Sequence, residues 1–387
     1  MKHKFVAKRY WKDQSTAMGA SDVAAKSYTD VINLSLGDPD LVTDEIIIDG
    51  AFADAKAGHT KYTDFRGDPE LRAEIVKFYD EKYGMAIKDE NVMVTTSGCI
   101  AMYLALEAIL DDGDEVIIHT PCFTPYPQQV ELARGIPVPL ETYEEEDFQI
   151  NIERLKSRIS ERTKAIVINT PANPTGAAFS IETLQNVAAI AKEYDLVVIA
   201  DDIYTLFTFD ADFVPIASLP GMAERTITIN SFSKDYLMTG WRIGYIIAPE
   251  PIVQTIQQIN ENVAFTSPSV SQRAALHALR NRAAIQSKIL EEYKGRVLAA
   301  TERINAIPNM SVRKPQGTFY LFINIKATGK TSAQVADAIL HQAHVLVLPG
   351  NTFGACGEGY VRIACTCSVD KLDEAFDRIA KMPMFHQ

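Results

Sequence analysis

The middle of the chain alternates short, continuous runs of apolar, mostly β-branched residues with segments of helical spacing. The apolar runs lie at residues 115–120, 164–170, 196–200, 226–230 and 242–248. Between two of them, apolar residues recur every three or four positions from Ile181 to Tyr194, which is the spacing of one helix face. Strands that are apolar throughout and separated by helices form parallel sheets with both faces covered. The sequence therefore predicts an α/β fold built on a three-layer, mainly parallel sheet.

The C-terminal part of the chain has a different pattern. Helical spacing around residues 285–306 is followed by the strand-like run FYLFINI, a second helical pattern at 333–342, and the strand-like run VLVLPG. This order of elements predicts a smaller α+β domain. We expect a large domain at residues 45–283 and a small domain at 284–387. Residues 1–44 are expected to form an N-terminal arm and part of the small domain.

Composition argues against several classes of partner. The net charge of −12 disfavours nucleic acid and anionic membrane surfaces, because both repel an acidic chain. The N-terminal stretch MKHKFVAKRYWK lacks the apolar core of a secretory signal, and no apolar run is long enough to span a bilayer. The five cysteines form no CxxC pair and have no histidine at metal-ligand spacing. We expect a cytosolic protein with reduced thiols, no metal, and neither nucleic-acid nor membrane partners.

Three polar clusters follow predicted strands. They are NTPANPTG at 169–176, DDIY at 201–204 and SFSKDYLMTGWR at 231–242. Each cluster alone has a structural explanation, as a turn, a helix cap or a solvated lysine. Together, however, they coincide with the carboxyl ends of strands, which is the edge where a parallel sheet binds its ligands. We therefore expect the three clusters to form one site.

The residue types in these clusters match a cofactor that carries a carbonyl group and a pyridine ring. Lys234 supplies an amine that can form a Schiff base with the carbonyl group. A buried Asp201 would favour a proton on the ring nitrogen, and a protonated ring is the better electron sink. Asn173 and Tyr204 can donate hydrogen bonds to a ring hydroxyl. The clusters therefore predict a catalytic site in which Lys234, Asp201 and Tyr204 act on one ring.

A phosphate site is predicted beside them. The strand-like run VMVTTSG ends at Gly98 and a helical pattern follows it. Ser97, Gly98 and Cys99 would then present free backbone N–H groups at a helix N-terminus, where the helix dipole favours an anion. Arg242 adds a fixed fork of donors and Ser231 adds a hydroxyl group.

The motif SFSK…TGWRIGY, together with NPTG and DxxY, resembles the class I/II aminotransferases of the fold-type I family, which use pyridoxal 5′-phosphate (PLP). The resemblance extends from Asn33 to Ser368. It implies PLP bound to Lys234 as a Schiff base. It also implies that Lys234 then moves the proton between substrate and cofactor as general base and acid. A homodimer with shared active sites is implied as well.

The resemblance implies further roles, position by position. Gly37 in SLGDPD would contact the substrate carboxylate through its backbone, and Arg362 in EGYVRIA would bind that carboxylate with a bidentate pair. Phe123 in TPCFTPY would stack on the pyridine ring and border the substrate. Tyr62 in KYTDFRGDPELR would reach the cofactor phosphate of the neighbouring subunit. Ser233 would assist the phosphate of its own subunit.

Two positions depart from the family pattern. Asp201-Asp202 stands where the family often has Asp-Glu, and we assign the ring-nitrogen role to Asp201. Cys99 stands where one aspartate-specific branch has a lysine for the distal carboxylate, which argues against strict aspartate specificity. Asn173 is expected to contact the substrate in addition to the ring. The motifs TGWRIG and GEGYVR resemble those of broad-range and aromatic aminotransferases.

We therefore expect an aminotransferase that works by a ping-pong mechanism. It would move the amino group of an aromatic L-amino acid, or of a broad range of L-amino acids, to a 2-oxo acid such as 2-oxoglutarate. Two alternatives share the same residues: a PLP-dependent C–S β-lyase, and a PLP-binding regulatory domain without catalysis. Dependence of turnover on a 2-oxo acid distinguishes the transferase from the lyase. The acidic charge argues against a regulator that binds nucleic acid.

Overall fold

The computed structural model of the protein describes residues 3–11 and 27–386. In chain order the strands β1 to β12 of these residues are Ile32–Asn33, Val92–Thr95, Glu115–Thr120, Ile136–Glu141, Thr163–Asn169, Val197–Asp201, Thr226–Ser231, Gly244–Ile247, Tyr320–Asn324, Val345–Leu346, Leu348–Pro349 and Tyr360–Ala364. The helices α1 to α12 of the same residues are Glu45–Lys56, Pro69–Tyr83, Gly98–Ile109, Pro125–Leu132, Ile152–Arg158, Ile181–Glu193, Phe232–Asp235, Glu250–Val263, Ser269–Arg280, Arg282–Asn305, Ser332–Ala343 and Val369–Ala380.

Seven of the strands just named form one sheet, in the order β2-β8-β7-β6-β5-β3-β4. The pairs from β4 through β3, β5 and β6 to β7 are parallel. This confirms the predicted, mainly parallel sheet, and each predicted strand begins and ends within two residues of the observed one. The exception in direction is β8, which is antiparallel to both β7 and β2. The connection from β7 to β8 contains the four-residue helix α7 and the 3₁₀ helix Thr239–Trp241, and both are too short to cross back along the sheet.

Helices cover both faces of this sheet, as the three-layer prediction requires. Alternate residues of β3 point to opposite faces: Val116 and Ile118 lie in one core with α3 and α8, whereas Ile117 lies in another with α6. All three side chains are buried, so the strand has no polar face. Helix α6, predicted at 181–194, is capped by Ser180, whose hydroxyl accepts a hydrogen bond from the backbone N–H of Thr183.

The C-terminal elements form a second, smaller sheet with helices packed beside it. Strands β11, β12 and β9 make an antiparallel sheet, and helices α10 and α12 pack together beside it. Strand β1 pairs in parallel with β10, so residues that precede α1 join the C-terminal elements. The predicted boundary between residues 283 and 284 falls in the first turn of α10. Both domain boundaries stay predictions.

None of the helices in residues 3–11 and 27–386 combines the length and the hydropathy that a bilayer-spanning segment requires.

A buried arginine joins three helices in front of the sheet. Arg273 on α9 donates to Asp54 on α1 (2.7 Å) and to Asp68 (3.1 Å), which caps α2. Its side chain is only 7% exposed. Burial disfavours the charged form of Asp54, but hydrogen bonds from Arg273 and His277 outweigh that effect and lower its pKa. The arginine is therefore the counter-ion of carboxylates that are largely removed from water.

We expect Arg273→Ala to lower the free energy of unfolding by about 3–5 kcal/mol at pH 7, because it leaves Asp54 and Asp68 without their counter-ion. Arg280→Ala is the matched control. Arg280 lies two helical turns further along α9 and pairs with Glu70 at 3.0 Å, but its side chain is 44% exposed. The control should lose no more than about 1 kcal/mol. Urea unfolding followed by circular dichroism measures both, and equal losses would contradict the prediction.

Candidate active site

A cavity of about 440 Å³ lies at the carboxyl ends of β5, β6 and β7. Each of these strands ends in a polar residue that lines it: Asn169, Asp201 and Ser231. The other residues predicted for the site that line the cavity are Gly37, Ser97, Gly98, Cys99, Phe123, Asn173, Tyr204, Ser233, Lys234 and Arg242. Two predicted residues, Tyr62 and Arg362, do not line it. The three polar clusters of the sequence therefore meet in one place.

Lys234 is carried into the cavity by the turn from β7 to α7. Ser231 caps this short helix, and its hydroxyl oxygen accepts a hydrogen bond from the backbone N–H of Ser233 at 3.1 Å. The Lys234 ammonium group, which is half-buried, donates to the backbone carbonyl of Gly37 at 2.5 Å. A side chain on Gly37 would collide with the hydroxyl group of Tyr320, so only glycine fits at this close approach.

Asp201 presents a carboxylate oxygen to the cavity from a buried position. Its Oδ2 accepts a hydrogen bond of 2.5 Å from the hydroxyl of Tyr126, while its Oδ1 has no hydrogen-bond partner among the described residues. Burial raises the pKa of Asp201 to about 6, although the hydrogen bond from Tyr126 and the nearby N–H of Ile203 act in the opposite direction. The exposed fraction of Asp201 is only 8%. A cationic donor in the cavity would therefore satisfy Oδ1 and stabilise the charge.

Asp202 occupies a different environment from its neighbour. It is buried and does not line the cavity, and its backbone N–H donates to the carbonyl of Ile229. Burial, with a smaller contribution from the charge of Asp201, raises the pKa of Asp202 well above its ordinary value. Of the two adjacent carboxyl groups, Asp201 is the one that a ligand in the cavity can reach.

The anion-binding end of the cavity combines a helix N-terminus with an arginine. Gly98 is the first residue of α3, and Ser97 caps the helix from a positive φ of 90°. A Cβ atom built on Gly98 would lie 3.6 Å from Cβ of Ser231, so these two segments are in contact. Arg242 has a left-handed backbone conformation and donates to the carbonyl of Thr239 at 2.7 Å. Backbone N–H groups, hydroxyl groups and a guanidinium group of this kind bind phosphate.

Arg362 lies behind the wall of the cavity. One Nη donates to Oδ1 of Asn173 at 3.0 Å and the other to the backbone carbonyl of Ser35. The guanidinium group lies 4.4 Å from the ring centroid of Tyr320, and the hydroxyl of Tyr204 donates to that of Tyr320 at 3.3 Å. Burial lowers the pKa of Arg362, and its Nε has no partner in the described part of the chain. A substrate group would reach this arginine through Asn173 or Tyr320.

Phe123 and Tyr62 are both aromatic, but they lie in different places. Phe123 borders the cavity and contacts Tyr126 edge to face, with 5.5 Å between ring centroids. The side chain of Tyr62 is 80% exposed and packs against Phe265, away from the cavity of its own chain. The structure therefore brings Phe123 to the site and leaves Tyr62 on the surface.

Tyr126, Tyr320 and Asn169 are among the residues of the site that were not predicted from the sequence. Tyr126 and Tyr320 line the cavity, and Asn169 donates from its side chain to the backbone carbonyl of Asp201 at 2.9 Å. Tyr126 lies three residues after Phe123, so the sequence placed it close to a predicted site residue. Tyr320 lies in an apolar strand-like run and offered no such signal.

Comparison with known proteins identifies the family to which the chain belongs. The family described as aminotransferase class I and II matches residues 29–379. The chain is 40% identical to an aspartate aminotransferase of Pyrococcus abyssi, with 93% of each chain covered. It is 37% identical to aromatic-amino-acid aminotransferase 2 of Thermococcus litoralis, with 92% of this chain and 93% of the relative covered.

Among solved structures, an aromatic aminotransferase of Pyrococcus horikoshii superimposes with a TM-score of 0.89 at 37% identity, covering 93% of this chain and 98% of that one. The sequence match extends over nearly the whole chain, and the fold agrees with the α/β architecture described above. This protein belongs to the class I and II aminotransferases and is an enzyme that transfers amino groups.

Proposed function

We propose that the protein is a PLP-dependent aminotransferase that works by a ping-pong mechanism. One observation carries the proposal: an amine, a buried carboxylate with a free oxygen, and a helix N-terminus with an arginine surround one cavity of about 440 Å³. These are the partners that the aldehyde, the ring nitrogen and the phosphate of PLP require. Lys234, Asp201 and Arg242 supply them from three separate segments of the chain.

The unpartnered oxygen of Asp201 tests whether PLP fits this site. A buried carboxylate without a counter-ion is unfavourable, and a protonated pyridine nitrogen would supply both the positive charge and a hydrogen-bond donor. Phe123 borders the same cavity and offers a ring face, and Asn173 and Tyr204 offer polar groups for the ring hydroxyl. The donor set therefore fits PLP.

PLP bound here would supply an electron sink for the pair of electrons that remains when a proton leaves the substrate Cα. Residues of the chain bind and orient the cofactor and transfer the proton. Lys234 is the attachment point of the cofactor and then carries the proton as general base and acid. Asp201 keeps the proton on the ring nitrogen. Phe123 holds the ring against one wall, and Asn173 and Tyr204 orient its hydroxyl group.

Residues at the other end of the cavity would hold the phosphate. The backbone N–H groups of Gly98 and Cys99 would bind it with the positive end of the α3 dipole, whereas the N–H of Ser97 donates to the carbonyl of Thr95 at 2.9 Å. Arg242 contributes a charge-assisted pair of hydrogen bonds. The hydroxyl groups of Ser231 and Ser233, which are 2.8 Å apart, complete the phosphate site.

The substrate is an L-amino acid whose α-carboxylate contacts Gly37 and Asn173, and Arg362 lies behind Asn173 as the nearby positive charge. Among the described residues that line the cavity, the cationic side chains are Lys234 and Arg242, and both serve the cofactor in this proposal. An apolar or aromatic side chain therefore fits better than a second carboxylate. The amino group passes to a 2-oxo acid, which we take to be 2-oxoglutarate. Because one cavity serves donor and acceptor, the first product leaves before the acceptor enters.

We further propose a cytosolic homodimer with shared sites. Tyr62 is remote from its own cavity and highly exposed, beside Phe65 and Phe265, which are also exposed. An exposed aromatic cluster of this kind is typical of a surface that contacts another chain. Closed two-fold pairing would let Tyr62 complete the phosphate site of the partner. The cysteines of the described residues are unpaired, as in a reducing compartment.

Lys234→Ala should lower turnover by at least about 10³-fold while leaving the circular dichroism spectrum unchanged, because it removes both the attachment point and the proton carrier. Borohydride reduction of the wild-type holoenzyme followed by peptide mapping should find the cofactor on Lys234. A label on another lysine would contradict the assignment. Release of pyruvate and ammonia from cystathionine, with no turnover dependent on a 2-oxo acid, would favour the C–S β-lyase instead.

Asp201→Asn should retain PLP but slow turnover by about 10²-fold or more, because an amide does not hold the ring proton. It should also change the stability of the cofactor-free protein. Since burial raises the pKa of Asp201 from 3.8 to about 6, ionisation of this carboxyl destabilises the fold progressively between about pH 4 and pH 6, and in full above pH 6.

The cofactor-free Asp201→Asn variant should therefore be more stable than wild type at pH 8, by up to about 3 kcal/mol, and this difference should vanish near pH 4. Urea unfolding of the cofactor-free proteins at several pH values measures this. Normal turnover in the variant would remove Asp201 from the mechanism and make Asp202 the candidate.

If the sites are shared between subunits, mixing two different inactive variants should restore activity. Lys234→Ala is mixed with a chain that carries a disabling substitution at Tyr62, and exchange of subunits is checked by co-purification of differently tagged chains. One site of each heterodimer then contains both Lys234 and Tyr62, so up to about a quarter of wild-type activity should return to an equal mixture. Exchange without recovered activity would mean that Tyr62 serves no partner site.

A further inference from the structure

We propose that Tyr126 is a positioning residue of this aminotransferase: its hydroxyl group fixes the carboxylate of Asp201 so that one oxygen points at the cofactor ring. The inference rests on the proposed role of Asp201 toward PLP. It assigns a function to a residue that the sequence motifs did not single out.

The first observation is the geometry of the hydrogen bond. The hydroxyl of Tyr126 lies 2.5 Å from Oδ2 of Asp201, a short distance typical of a donor bonded to a charged acceptor. Both side chains are buried, with exposed fractions of 2% for Tyr126 and 8% for Asp201. Burial and the charge of Asp201 raise the pKa of Tyr126 well above its ordinary value, so the hydroxyl keeps its proton and acts as the donor.

The second observation concerns the other carboxylate oxygen. A carboxylate can rotate about its last side-chain bond, and its two oxygens are equivalent until one of them is bound. Tyr126 binds Oδ2, and Oδ1 has no partner in residues 3–11 and 27–386. The backbone of Asp201 is held independently by Asn169, whose side-chain amide donates to the Asp201 carbonyl at 2.9 Å. Tyr126 is therefore the contact that distinguishes the two oxygens.

Tyr126 also supports the wall of the cavity. It lies three residues after Phe123, and its backbone N–H donates to the Phe123 carbonyl at 3.2 Å. The two rings contact edge to face at 5.5 Å, an arrangement that limits movement of both. Helix α4 is anchored below by Val130, which is fully buried in the core with α3. Helix α4 and the turn that leads into it thus hold Tyr126 and Phe123 in contact beside Asp201.

Tyr126→Phe separates these two contributions, because it keeps the ring and removes only the hydroxyl group. Loss of a hydrogen bond to a charged group costs about 1.5–3 kcal/mol, which corresponds to about 10–100-fold. We expect kcat to fall by this factor with little change in the KM of the amino acid, since in this proposal Tyr126 acts on Asp201 and not on the substrate. The dissociation constant of PLP, measured by equilibrium dialysis against the cofactor-free protein, should rise because Asp201 meets the ring nitrogen less well.

Tyr293→Phe is the matched control. Tyr293 is also fully buried and donates to a carboxylate, Oδ1 of Asp40, at 3.2 Å, but it does not line the cavity. Asp40 keeps its pair with Arg296 at 2.7 Å when the hydroxyl is removed. This control should leave kcat and the dissociation constant of PLP within about twofold of wild type. A similar loss in both variants would mean that any buried tyrosine hydroxyl has the same general effect.

A double-mutant cycle decides whether Tyr126 acts through Asp201. In the Asp201→Asn background, Tyr126→Phe should lower kcat by less than about twofold, because the charged acceptor is already gone. Equal losses in both backgrounds would overturn the inference and leave Tyr126 with a packing role only. If Tyr126→Phe resembles wild type while Asp201→Asn is impaired, the inference fails and the proposed function stands. If both variants resemble wild type, the proposed role of Asp201 fails as well.

Discussion

The parallel pairing of β5, β6 and β7 is the constraint on which the site depends. It sets Asn169 opposite Asp201, and Asp201 opposite Ile229, so that the three strands end at one edge of the sheet. The helices on both faces then exclude water from this edge, which makes Asp201 a buried carboxylate with a raised pKa. The hydrogen bond from Tyr126 offsets part of that cost, and a cationic ligand in the cavity would offset more. The sheet therefore creates a site that favours a cationic ligand.

Other elements bring the remaining polar groups of the site to the same cavity. The turn from β7 into α7 brings Lys234 to one side, and the start of α3 brings Gly98 against Ser231 on the other. Because a strand or a helix start is rigid, each group is held without help from a bound ligand. This preorganisation agrees with amino-group transfer, in which the protein contributes orientation and electrostatics and the cofactor contributes the electron sink.

Residues contributed by the C-terminal elements have an indirect part in the site. Arg362 reaches Asn173 and Tyr320 rather than the cavity itself, and Tyr320 in turn excludes any side chain at Gly37. A change in the packing of the C-terminal sheet would therefore affect the cavity near Gly37 and Asn173 more than the cavity near Asp201.

The sequence by itself determined the α/β class, the strands of the large sheet except β4, and the segments that meet at its edge, because apolar periodicity and strand-end polar clusters are local signals. It also pointed to Lys234, Asp201 and Arg242. Tertiary structure alone decided that β8 runs antiparallel and that Arg362 lies behind the cavity wall. It also decided that Tyr126 binds a carboxylate 75 residues further along the chain. Contacts of this kind depend on how helices pack across a finished sheet, and no spacing within a single segment encodes them.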